Sequence, residues 1–89
     1  MLKRTITVQN KLGLHARPCS LLVKTSSKFR SEFSITNDEM TINGKSIMGV
    51  MMLAAECGVQ LELSTDGVDE DVAMEAIVGL FDSKFGEDE

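Results

Sequence analysis

Four short stretches of this chain alternate apolar and polar residues with a period of two. Leu2, Arg4, Ile6 and Val8 alternate with Lys3, Thr5 and Thr7, giving one mostly apolar face. Phe33 and Ile35 alternate with Glu32, Ser34 and Thr36; Met40 and Ile42 flank Thr41; Val59, Leu61 and Leu63 alternate with Gln60, Glu62 and Ser64. That period predicts half-buried strands. Strands of a parallel sheet, buried on both faces, would read as continuous apolar runs, so the pattern predicts an antiparallel sheet with one wet face. Asn37-Asp38-Glu39 supplies turn-forming residues for a tight connection between the middle two strands.

Elsewhere the apolar spacing is helical. A first helix is predicted from about Ala16 to Lys28, with Leu21, Leu22, Thr25 and Phe29 on one face. A second runs from Ser46, its own N-cap, to about Ala55, and Cys57-Gly58 ends it. A third starts near Asp69, where Asp69, Glu70 and Asp71 suit the helix dipole, and turns Ala73, Ala76, Ile77, Leu80 and Phe81 inward. It ends near Lys84, leaving residues 86–89 as a flexible acidic tail. The order βαββαβα predicts an α+β open-faced sandwich, a four-stranded antiparallel sheet covered on one face by three helices. No repeat or linker divides the chain, so residues 1–89 are expected to form a single domain.

Composition narrows the function classes. A chain of 89 residues can bury one core without a disulfide or a metal. No segment approaches the roughly 18 apolar residues of a membrane span. Met1 to Thr5 lack the apolar run of a signal peptide, so a cytoplasmic location is expected, with Cys19 and Cys57 as reduced, buried thiols. A net charge of −5 argues against nonspecific nucleic-acid binding. Lys11, Arg17, Lys24, Lys28 and Lys45 still place local positive charge in the N-terminal half. One histidine and two isolated cysteines do not make a zinc site, and no metal or cofactor is expected.

The chemistry concentrates in Gly13-Leu14-His15-Ala16-Arg17-Pro18. Proline is tolerated in the first turn of a helix, so the motif places the chain's one histidine at a helix N-terminus. The backbone N–H groups of Ala16 and Arg17 and the helix dipole suit a dianion there. A neutral imidazole nitrogen in that setting can attack a phosphoryl group, and Arg17 can stabilise the charge it brings. A lone histidine also has an ordinary structural reading, and so does Ser46 as an N-cap. An enzyme built on His15 and Cys19 as base and nucleophile lacks an orienting acid.

This motif, followed by Lys45-Ser46-Ile47-Met48-Gly49-Val50-Met51, resembles the histidine-containing phosphocarrier (HPr) family of the bacterial phosphoenolpyruvate-dependent phosphotransferase system. The resemblance runs from the first strand to the last helix. It implies that His15 accepts a phosphoryl group on Nδ1 from phosphorylated enzyme I and passes it to enzyme IIA domains, with Arg17 assisting. It makes the chain a monomeric phosphoryl carrier rather than an enzyme in the strict sense. It also implies that Ser46 is a target of HPr kinase/phosphorylase, where phosphate would add about −1.5 to −2 charges at a helix start. Residues matching Leu21, Lys24, Lys45, Ile47, Met48 and Met51 form the family's partner-binding surface.

The second helix supports such a surface on its own terms. Val50, Leu53 and Ala54 can face a core while Ile47, Met48, Met51 and Met52 form a second apolar stripe, too much for a small sandwich to cover. Met52 fits core filling as well as docking. Leu12 and Cys19 depart from the commonest family pattern, and Cys19 reads as a packed small residue. Asn10-Lys11-Leu12-Gly13 is similar to the nitrogen-related branch of the family. The alternative role is therefore a mainly regulatory interaction protein of the nitrogen-related or catabolite-control type, read by a transcriptional regulator through the phosphorylation of His15 and Ser46.

Overall fold

The alternating stretches become strands β1 (Leu2–Thr7), β2 (Glu32–Asn37), β3 (Met40–Asn43) and β4 (Gln60–Asp66) in a computed structural model that describes residues 1–87. They form one sheet in the order β1-β4-β2-β3, every neighbouring pair antiparallel. The strand that comes last in the chain is central, paired on both sides, and it carries the strictest alternation: Leu61, Leu63 and Thr65 are buried, Glu62 and Ser64 half-covered. β1 is an edge strand, and its inward face is correspondingly looser: Leu2 and Ile6 are half-buried and Arg4 is exposed. Asn37 pairs with Met40, which leaves Asp38 and Glu39 as a two-residue turn. Asp38 takes φ 55°, a left-handed conformation that aspartate tolerates better than most residues.

Helices α1 (Ala16–Ser26), α2 (Ile47–Met52) and α3 (Glu70–Asp82), with a 3-10 turn at Lys84–Gly86, complete the βαββαβα order. The register sets Phe33 opposite Thr65 and Ile35 opposite Leu63, so these residues share the face that the helices cover. Against them pack Leu22 of α1, Val50 of α2 and Ile77 and Phe81 of α3, all buried. Thr65 meets its hydrogen-bonding need inside this core by donating its hydroxyl to Glu70 O at 3.1 Å.

The helices differ from the sequence reading in length and rotation. α1 stops at Ser26, two residues short, where Lys28 N and Phe29 N bond back to Thr25 O and Ser26 O in tighter turns. Its buried face is Pro18, Cys19, Leu22 and Ser26, so the expected Leu21, Thr25 and Phe29 lie on the flank, half-buried. α2 ends at Met52 instead of about Ala55: Ala54 turns left-handed at φ 47°, and no glycine is needed to stop the helix. Gly58 serves the turn into β4, donating its N–H to Val8 O. In α3 the buried residues are Ala73, Met74, Ile77 and Phe81, with Ala76 and Leu80 only half-buried. Cys57 is exposed, contrary to the expectation of two buried thiols.

Asp69 precedes α3 but does not cap it. Its carboxylate reaches across to the α1–β2 loop and accepts from Arg30 N at 2.8 Å, Ser31 N at 2.8 Å and Ser31 Oγ at 2.5 Å. Glu70 does the local work instead, accepting from Gly67 N at 3.0 Å.

Candidate functional site

The loop before α1 is built by a short set of hydrogen bonds. Gly13 N donates to Asn10 O at 3.0 Å, and the buried Asn10 side chain returns Nδ2 to Gly13 O at 2.6 Å. Gly13 sits at φ +70°, and a Cβ there would lie 2.5 Å from Ala55 O, so the position requires glycine both for its backbone and for its closeness to the end of α2. The next residue fixes the loop to the same carbonyl, Leu14 N donating to Ala55 O at 2.9 Å while its side chain is buried.

His15 is the N-cap residue of α1, with an extended backbone (φ −80°, ψ −174°) and an imidazole that makes no cap bond. The first intrahelical bond runs from Cys19 N to His15 O at 3.1 Å. Three residues lie between these partners. Pro18 has no N–H, so the helix start leaves two N–H groups, those of Ala16 and Arg17, without an intrahelical acceptor. The imidazole beside them is 35% exposed, enough for a reacting group to approach. Cys19 is fully buried, and burial pushes its thiol pKa up, so it packs and does not act as a nucleophile.

The imidazole also has a partner that sequence reasoning missed. His15 Nε2 lies 2.7 Å from Glu87 Oε2, and Glu87 Oε1 accepts from Asn10 Nδ2 at 3.1 Å. The flexible tail expected over residues 86–89 does not hold for its first two residues: Gly86 closes the 3-10 turn and Glu87 is tied to the site, while Asp88 and Glu89 lie outside the described residues. Burial alone would raise the Glu87 pKa, but hydrogen bonds from Asn10 and His15 and the nearby charges of His15 and Arg17 hold it below the usual carboxylate range.

Ser46 caps α2, its Oγ accepting from Gly49 N at 3.2 Å. α1 and α2 pack side by side in opposite senses. Ala55, beyond the end of α2, meets Leu14 at the start of α1, and Gly44, before α2, accepts from Ser26 Oγ at the end of α1. His15 and Ser46 therefore belong to opposite ends of α1, whose 11 residues span about 16 Å. Between them the surface is apolar: Ile47, Met48, Met51 and Met52 are all exposed, Met48 at 73%. Leu21 is half-buried and Lys24 exposed on α1. Lys45 is less available than a docking charge would be, because its Nζ donates to Phe29 O at 2.7 Å. Leu12, on the loop that leads to His15, is a further exposed apolar residue.

Fold and site together define a βαββαβα sandwich with a half-exposed histidine at the N-cap of its first helix and an exposed apolar face on its second. The family described as the PTS HPr component phosphorylation site matches residues 2–83. The phosphocarrier protein HPr of Neisseria meningitidis is 52% identical over 89 residues, all of either chain. The crystal structure of HPr-C-His from Thermoanaerobacter tengcongensis superposes with a TM-score of 0.96 at 47% identity, covering all of both chains. A structure of an HPr dimer from the same organism superposes at 0.79, with 48% identity over 98% of this chain and 100% of that one. The chain belongs to the HPr family, the phosphocarrier proteins of the phosphotransferase system.

Proposed function

We propose that the chain carries a phosphoryl group on His15, accepting it from phosphorylated enzyme I and handing it to an enzyme IIA domain. The observation that carries this reading is the helix start itself. A half-exposed imidazole adjoins two N–H groups with no intrahelical acceptor, one of them from Arg17, an exposed residue whose charge also acts on Glu87. Such a start binds a dianion without moving, so a phosphoryl group on the ring meets donors already in place. Because the same groups serve the bound and the leaving phosphoryl, they favour reversible transfer. The protein turns over no substrate of its own.

The apolar strip of Ile47, Met48 and Met51 with Leu21 is the docking surface for both partners, and Lys24 adds charge complementarity at its rim. One chain holds every group the transfer needs, so the monomer is the working unit, and the site calls for no cofactor. No helix among the described residues is long and apolar enough to cross a membrane, which fits a cytoplasmic carrier. Phosphorylation of Ser46 by an HPr kinase/phosphorylase would place charge at the far end of the docking strip. That arrangement supports a regulatory role alongside the carrier role.

Phosphorus NMR after incubation with phosphoenolpyruvate, magnesium and enzyme I tests the assignment. An acid-labile, alkali-stable phosphohistidine signal is expected, and His15→Ala should lose it while remaining folded, because the ring lies outside the core. Label retained by the His15→Ala protein would overturn the assignment.

A further inference from the structure

The C-terminal end of the described chain returns to the helix start. After α3, Phe85 is buried with its ring edge-on to that of Phe81, centroids 4.9 Å apart. That anchor sets Glu87, two residues on, beside His15, where its side chain is only 6% exposed. The contacts then run in series from Gly13 O to Asn10 Nδ2, from Asn10 Nδ2 to Glu87 Oε1, and from Glu87 Oε2 to His15 Nε2.

Chemistry assigns every proton along this series. Gly13 O only accepts, so the Asn10 atom 2.6 Å from it is the amide nitrogen. Turning the amide over would press Oδ1 against that carbonyl and against the Glu87 carboxylate. Glu87, held in its ionised form, also only accepts. His15 Nε2 must therefore carry a proton, and in the neutral ring Nδ1 keeps its lone pair.

We propose, on the reading that His15 takes the phosphoryl group, that Glu87 is a positioning residue that holds His15 in the Nε2–H tautomer and so presents Nδ1 as the nucleophile. The Nδ1 lone pair forms the N–P bond as the bond from phosphorus to the donor breaks, its electron pair leaving with the donor. No proton leaves His15. Nε2–H stays bonded to Glu87, and the positive charge of the phosphorylated ring faces the carboxylate. In onward transfer the N–P pair returns to Nδ1, and the ring departs as the tautomer it began with. A carboxylate orienting a reactive imidazole through one nitrogen is the logic by which other histidine sites are set.

The Asn10 anchor makes one variant diagnostic. In Glu87→Gln the Asn10 amide N–H selects the glutamine carbonyl, which turns the glutamine NH2 toward His15. That NH2 can only donate, so it favours the tautomer with Nε2 unprotonated and Nδ1 blocked by a proton. Glu87→Ala imposes neither tautomer and leaves the balance to solvent. Long-range proton–nitrogen correlation spectra of the labelled protein, at a pH where the ring is neutral, should show Nε2–H in the wild type and a shift toward Nδ1–H in Glu87→Gln.

Phosphoryl acceptance from phosphorylated enzyme I should rank wild type above Glu87→Ala and Glu87→Ala above Glu87→Gln, the last slower than wild type by about tenfold or more. A purely structural role would rank the variants the other way, since glutamine is the closer isostere. Predominant Nδ1–H in the wild type, or wild-type rates in Glu87→Gln, would overturn the proposal. Expected spectra in a wild-type protein that takes no phosphoryl group would uphold the tautomer lock and overturn the carrier reading instead.

Discussion

Asp69 shows how one side chain can join two elements that are distant in the chain. Its carboxylate gathers the hydroxyl of Ser31 and the N–H groups of Arg30 and Ser31, and these bonds, led by the Ser31 hydroxyl, lower its pKa to about 2. A carboxyl whose folded pKa is depressed contributes stability that is complete above the unfolded value, about 3.9 for aspartate, and is lost as pH falls through the folded one. Asp69→Ala should therefore lower the urea midpoint at neutral pH, and the gap from wild type should close between about pH 4 and pH 2. A gap that persisted unchanged below pH 2 would mean that the charge is not what binds the loop. Legibility at this scale was uneven. His15, Ala16 and Arg17 could be placed from a glycine and a proline bracketing them. Asn10 carried a faint signal as a turn residue before Gly13, whereas Glu87, 72 positions from His15, carried none.

Among the elements, α2 departs most from its sequence pattern, and for a local reason. Six residues make fewer than two turns, so its stability depends on its cap and on Val50 as a buried anchor. Ser46→Ala, which removes the acceptor for Gly49 N, should cost about 0.5–2 kcal/mol in urea unfolding, whereas Ser46→Asp should retain most of the cap. Equal stability of the alanine variant and wild type would show that packing alone holds the helix. The four exposed apolar residues of α2 were legible as a surplus that the core had no room for. Its end was not, because a non-glycine residue, Ala54, takes the left-handed conformation. α1 and α3 were placed within two residues. Their buried faces were rotated from the predicted ones, since apolar residues such as Leu21 and Leu80 flank the inward stripe and blur its centre.

Over the whole molecule, the opposite senses of α1 and α2 separate the two candidate phosphorylation sites and join them by one apolar strip. A charge on Ser46 would thus act on docking and not on the chemistry of His15. Ser46→Asp should weaken association with enzyme I more at low salt than at high salt, while the rate of transfer within the bound complex stays close to wild type. Stopped-flow measurements over a range of ionic strength separate the two, and a loss confined to the bound step would contradict this geometry. The sequence by itself determined the order of elements, the antiparallel pairing and the helix-start histidine, because period, turn residues and caps act between near neighbours. Tertiary structure decided the rest: β4 at the centre of the sheet, the rotation of each helix, Asp69 across the α1–β2 loop and Glu87 on the imidazole. These depend on which surfaces meet once the chain has closed on itself, and contacts between residues far apart in the chain leave no local periodicity to read.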